Sequence, residues 1–130
     1  MIPVRLGTDK ISPVYLPHIK YILASKFSVG IIGGKPRASL YFIGYQGDYV
    51  IYLDPHFVQP AVPKDLRKED FETYQCKVPL KMPLADIDPS LAIGFFIKTE
   101  QDFEEFIEWQ SSYQKINNYC IFTLSKDFNF

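Results

Sequence analysis

The sequence predicts an α+β domain on three observations: three β-type runs between residues 28 and 53 separated by glycine turns, a helical pattern before and after them, and an apolar, aromatic-rich run at Leu91 to Lys98. Short runs of β-branched and aromatic residues bounded by Gly, Pro or Asp mark strands, while apolar residues recurring every three to four positions mark helices. At 130 residues the chain suits one domain with no separate second one, and 47% apolar against 22% charged residues is an ordinary globular balance able to build a core.

Ser12-Pro13 reads as a helix cap with proline at the first helical position, and Tyr15, Ile19, Ile22 and Leu23 then recur at helical spacing up to about Lys26. Ser28 to Ile32, Ser39 to Tyr45 and Tyr49 to Leu53 follow as strands, joined by Gly33-Gly34-Lys35-Pro36 and Gln46-Gly47-Asp48, which predicts an antiparallel meander. A proline-bearing, charged loop runs from about Phe57 to Glu72, ahead of a short segment around Tyr74 to Val78. Lys81 to Pro89 reads as a turn or a single helical turn, and Leu91 to Lys98 as a buried central strand. Thr99 with Asp102 forms a capping-box pattern that opens a helix whose Phe103, Phe106, Ile107 and Gln110 share one face, flanked by Trp109. Cys120 to Leu124 is expected as a last strand and Ser125 to Phe130 as a tail.

Several function classes fall away on composition. Net charge is −1, and bases alternate with acids, as in Lys64-Asp65-Leu66-Arg67-Lys68-Glu69-Asp70, so the basic footprint of a nucleic-acid binder is missing. No apolar stretch approaches the roughly 18 residues of a transmembrane helix, and the N-terminus lacks a basic leader, which points to a cytoplasmic protein. Cys76 and Cys120 do not make a disulfide framework, and His18, Cys76 and Cys120 lack metal-ligand spacing, so neither metal nor cofactor is expected. Gly33-Gly34-Lys35 superficially suggests a phosphate loop. Val29 stands where its first glycine belongs and Pro36 where its hydroxyl residue belongs, so a turn needing positive φ is the better reading.

The segment with chemistry is Tyr52-Leu53-Asp54-Pro55-His56. Alternation puts residues i and i+2 of an extended chain on one face, roughly 6 to 7 Å apart, so the Asp54 carboxylate reaches one imidazole nitrogen of His56. Pro55 fixes its own φ and keeps Asp54 out of the helical region, which stiffens the tripeptide. This is two-thirds of a catalytic triad without a neighbouring nucleophile. The alternative reading of Asp-Pro is a plain exit from a strand into a turn.

Longer motifs carry a resemblance. Val29-Gly30-Ile31-Ile32-Gly33-Gly34-Lys35-Pro36, Tyr41-Phe42-Ile43-Gly44-Tyr45, Ile51 to His56, Gln59-Pro60-Ala61-Val62 and Asp88-Pro89-Ser90-Leu91-Ala92-Ile93-Gly94-Phe95-Phe96 stand in the order that resembles the autophagins, the autophagy-related protein 4 cysteine proteases. The resemblance covers about residues 3 to 108. It implies the β-rich lobe of a papain-like cysteine peptidase, which trims the ubiquitin-like autophagy-related protein 8 after a glycine and releases it from phosphatidylethanolamine. His56 then matches the family's general base and Asp54 its orienting acid. Lys35-Pro36-Arg37-Ala38 matches a loop over the substrate cleft that moves when the modifier's tail enters, with Gly33-Gly34 as its hinge.

One departure from the family is large. Its nucleophilic cysteine lies far upstream of the Asp-Pro-His segment, and no cysteine precedes Asp54 here. The expectation is therefore a C-terminal portion of the catalytic domain, inactive alone, with the N-terminal half of the same protease as a partner and with apolar surface left exposed. The other expectation is a pseudo-protease that binds the modifier without cutting it. Tyr113 and Ile116 also match the spacing of a linear modifier-binding motif, for which an ordinary helix end is the competing reading.

Overall fold

The computed structural model describes residues 1–65, 67, 70, 72, 74–116 and 120–124, with the backbone alone for Ile116. Six strands form one antiparallel sheet: β1 (Ile2–Arg5), β2 (Ser28–Gly33), β3 (Leu40–Gln46), β4 (Tyr49–Leu53), β5 (Leu80–Pro83) and β6 (Ser90–Phe95), in the order β1-β6-β2-β3-β4-β5. Among the described residues two α-helices, α1 (Leu16–Leu23) and α2 (Glu100–Ile116), join the sheet in an α+β fold.

The expected meander is β2-β3-β4. Ile31 lies opposite Phe42, and Phe42 opposite Tyr52, with Gly47 at positive φ in the turn between β3 and β4. β6 is an interior strand paired to β1 on one side and β2 on the other, as its apolar sequence predicts. Gly33 ends β2 at φ 128°, and a Cβ there would lie 2.4 Å from the Ser90 carbonyl oxygen, so only glycine fits.

Ile31, Leu40, Phe42, Val50, Leu91 and Ile93 project from one face of the sheet into the core, where Ile19 and Ile22 of α1 meet them. The opposite face carries Val29, Ile32, Tyr41, Ile43 and Tyr49 in the open, each between 37% and 46% exposed. An apolar sheet face of this extent matches the expectation of exposed apolar surface.

Ile2–Arg5, on which the sequence carries no expectation because four residues containing a proline give no local strand signal, is a strand with Val4 opposite Leu91. Four sequence expectations need correction. Leu80–Pro83 is the edge strand β5 rather than part of a turn, with Val50 opposite Met82. Pro83 is tolerated there because an edge needs fewer ladder donors. The helical turn is confined to Leu84–Asp86.

The buried stripe of α2 is Phe106, Gln110 and Tyr113, while Phe103 and Ile107 stay largely exposed. The phase shifts because Tyr113 packs against His18 and Tyr21 of α1, while Gln110 stays in the stripe as expected, its amide donating to the Phe122 carbonyl at 3.3 Å. Cys120 to Leu124 is not a strand, since that bond already engages the segment and Phe122 stacks on Phe106 with parallel rings 6.4 Å apart. Ser125 to Phe130 lies outside the described residues.

Ser12 precedes a 3-10 turn at Pro13–Tyr15 that leads into α1, so the predicted single helix is divided. At α2 the capping box forms in full: Asp102 N–H donates to Thr99 Oγ1 and Thr99 N–H to an Asp102 carboxylate oxygen, both at 3.0 Å. Those bonds hold the Asp102 carboxyl below its ordinary range.

Candidate active site

β4 is flanked on both sides, by β3 and β5, so the residues just beyond Leu53 leave a rigid support. Asp54 follows as a half-buried residue and Pro55 turns the chain. One Asp54 oxygen then accepts two hydrogen bonds from His56: the backbone N–H donates at 3.0 Å, and ring Nδ1 lies at 2.6 Å. The first is an Asx turn, which fixes the local backbone, and the second fixes the ring. Together they hold the Asp54 carboxyl below its ordinary range, the backbone bond most strongly, with the Lys35 ammonium adding a smaller pull.

An ionised carboxylate on Nδ1 selects the tautomer that carries its proton there. Nε2 is left with the lone pair and available for proton transfer. The imidazole is half exposed, at 50% of its side-chain surface, so that nitrogen is accessible. Such a pair takes a proton from a thiol or hydroxyl brought to Nε2 and stabilises the imidazolium that results. Among the described residues, neither cysteine sulfur is hydrogen-bonded to the ring. Cys76 is exposed and lines a cavity of about 510 Å³ together with Tyr52, Asp54, Phe57, Tyr74 and Leu80.

The Lys35 to Ala38 loop begins where β2 ends. Its turn is closed by Ala38 N–H donating to the Lys35 carbonyl at 3.3 Å, with Arg37 in the left-handed region at φ 60°. Gly34 is held on both sides, its N–H donating to Ser90 at 3.4 Å and its carbonyl accepting from Asp88 N–H at 2.9 Å. The glycine pair is thus an anchored base, and the span without such backbone tethers begins at Lys35. Lys35 and Pro36 line a second cavity, of about 380 Å³, with Leu40, Tyr52, Met82 and Asp86.

Tyr52 is the shared wall of the two cavities, its ring edge-on to Phe42 at 6.2 Å. The dyad and the loop are thereby brought side by side. Tyr52 was the legible residue left unread, because it stands two positions before Asp54 and so on the same face. Tyr113 has no exposed surface and sits inside α2, which removes it from any extended linear motif; the Ile116 side chain lies outside the described residues.

Among the described residues no helix is long and apolar enough to cross a membrane. The peptidase C54 catalytic domain matches residues 1–109. Mouse cysteine protease ATG4C is 42% identical over 137 aligned positions, which take in all of this chain and 30% of that protein. Chicken cysteine protease ATG4B is 45% identical over 108 positions, 82% of this chain and 28% of its own length. Dictyostelium discoideum cysteine protease atg4 is 47% identical over 109 positions, 83% and 14% respectively. The chain thus spans less than a third of the length of these relatives. A family match over most of its residues, on a fold with the expected α+β layout, means that the chain belongs to the peptidase C54 family.

Proposed function

We propose that this chain forms the base-bearing part of a papain-like cysteine peptidase of autophagy. Its substrate is the ubiquitin-like autophagy-related protein 8, trimmed after its C-terminal glycine and released from phosphatidylethanolamine. His56 is the general base and Asp54 the acid that orients it. The observation that carries this reading is the doubly bonded Asp54–His56 pair on a chain of the C54 family. The thiol comes from outside these 130 residues: His56 Nε2 takes its proton, the thiolate sulfur attacks the scissile carbonyl carbon, and the imidazolium returns the proton to the leaving group. Lys35, Pro36, Arg37 and Ala38 form the loop that yields to the modifier's C-terminal tail.

The test is cleavage of a tagged modifier precursor by this chain joined to the nucleophile-bearing remainder of a C54 catalytic domain. Cleavage that is lost in His56→Ala supports the assignment, and cleavage that survives in His56→Ala removes it. A second reading rests on the finding that, among the described residues, no thiol is bonded to His56: the chain by itself is a binding module. It predicts that the isolated chain retains the modifier in a pull-down and leaves it uncut.

A further inference from the structure

Tyr52 has no task in the proton transfers assigned to the dyad. Alternation along β4 puts it on the face that runs from Val50, which is fully buried, towards Asp54. Tyr52 is half-buried there, held in the ladder between Phe42 on β3 and Leu80 on β5. Its ring meets the buried Phe42 ring edge-on at 6.2 Å. Phe42 is confined in turn by the base of the loop, since a Cβ on Gly34 would stand 2.4 Å from two of the Phe42 ring carbons. Gly34, Phe42 and Tyr52 are thus packed in series, from the anchored start of the Lys35 to Ala38 loop to the residue two before Asp54.

The cavity that Asp54 lines and the cavity that Lys35 and Pro36 line have a single described residue in common, and it is Tyr52. Around it the walls are apolar, with Leu40 and Met82 on one side and Leu53 and Leu80 on the other. A peptide tail that displaces the loop and presents its scissile bond to His56 occupies both cavities, and so crosses Tyr52. A ring already fixed by ladder partners and by Phe42 loses little freedom when a ligand settles on it, so the contact is realised as affinity.

We propose that Tyr52 is a substrate-binding residue: the modifier's tail lies across its ring between the loop and the dyad, and the contact sets affinity for the tail while the dyad does the chemistry. This rests on the function proposed above.

The test uses a complete peptidase that contains this chain. Tyr52→Leu keeps apolar bulk and removes the ring. It should raise KM for a tagged modifier precursor about 3- to 10-fold, the cost of one lost aromatic contact, with kcat and its pH profile retained. Tyr52→Phe should restore KM. An unchanged KM in Tyr52→Leu overturns the inference, and so does a fall in kcat at constant KM, which would make Tyr52 a support of the dyad. The contact is read without altering the ring in His56→Ala bound to saturation with the precursor. Intermolecular nuclear Overhauser effects between the Tyr52 ring and the tail are expected there, and their absence overturns the contact. The two readings fail separately. Cleavage that survives in His56→Ala removes the proposed function, whereas cleavage lost in that variant beside an unchanged KM in Tyr52→Leu removes the role of Tyr52 alone.

Discussion

A single oxygen of Asp54 accepts both the backbone N–H and the ring Nδ1 of His56, so one carboxylate sets the turn and the tautomer together. The two tasks separate under mutation. Asn in place of Asp54 keeps an oxygen for the backbone bond but offers no charge to an imidazolium. In a complete peptidase that contains this chain, Asp54→Asn should lower kcat by about 10³- to 10⁴-fold, with KM within a few-fold and the circular dichroism spectrum unchanged. A drop below tenfold in single-turnover kinetics would sink the orienting role.

The capping box supplies a pH prediction. The Asp102 carboxyl is held low by its Thr99 bonds, so its contribution to stability is complete above about pH 4, the range of a free carboxyl, and fades as pH falls further. Thr99→Ala should cost about 1 kcal/mol at neutral pH in urea unfolding, and should flatten the decline in stability below pH 4. An unchanged urea midpoint would show that α2 starts without help from the box.

Gly33→Ala tests the close crossing of β2 over the Ser90 carbonyl. The added methyl meets a backbone atom that cannot step aside, and φ 128° is a conformation that alanine resists. The expected loss is about 2 to 4 kcal/mol. Thermal unfolding within a degree or two of the unmodified chain would mean that the crossing relaxes freely.

The ion pair between Lys20 and Asp48, 2.8 Å apart, should matter little. The Asp48 side chain is 94% exposed, and water competes for both charges. Asp48→Asn is expected to shift the urea midpoint by no more than the experimental scatter, in low salt as in high. The Asp48 carbonyl, which accepts from Leu84 N–H at 2.9 Å, is untouched by the change.

The parts legible in the sequence were those with local causes. Glycine turns delimit β2, β3 and β4; the Thr99–Asp102 spacing announces its own cap; Asp54 and His56 find each other because two residues of extended chain separate them. β1 and β5 were illegible for the opposite reason. Ile2–Arg5 is a strand only because Leu91 and Ile93 lie beside it, and Leu80–Pro83 only because β4 offers an open edge. The stripe on α2 was placed too far towards Phe103 and Ile107, because its buried side is set by Tyr113 meeting α1, a contact no local pattern shows. His18 looked solitary for as long as Tyr113 was 95 positions away.

The pairing of Ile2 with Ile93 sets an order on the birth of the molecule. Whatever precedes it, β1 leaves the ribosome before β6, its ladder partner among the described residues, so Ile2 must wait until more than ninety further residues have been added. The β2-β3-β4 meander meets no such delay, since its turns close over a handful of residues and short closures are fast. The sheet therefore grows outward from its middle, and β1 is among its last strands to be seated.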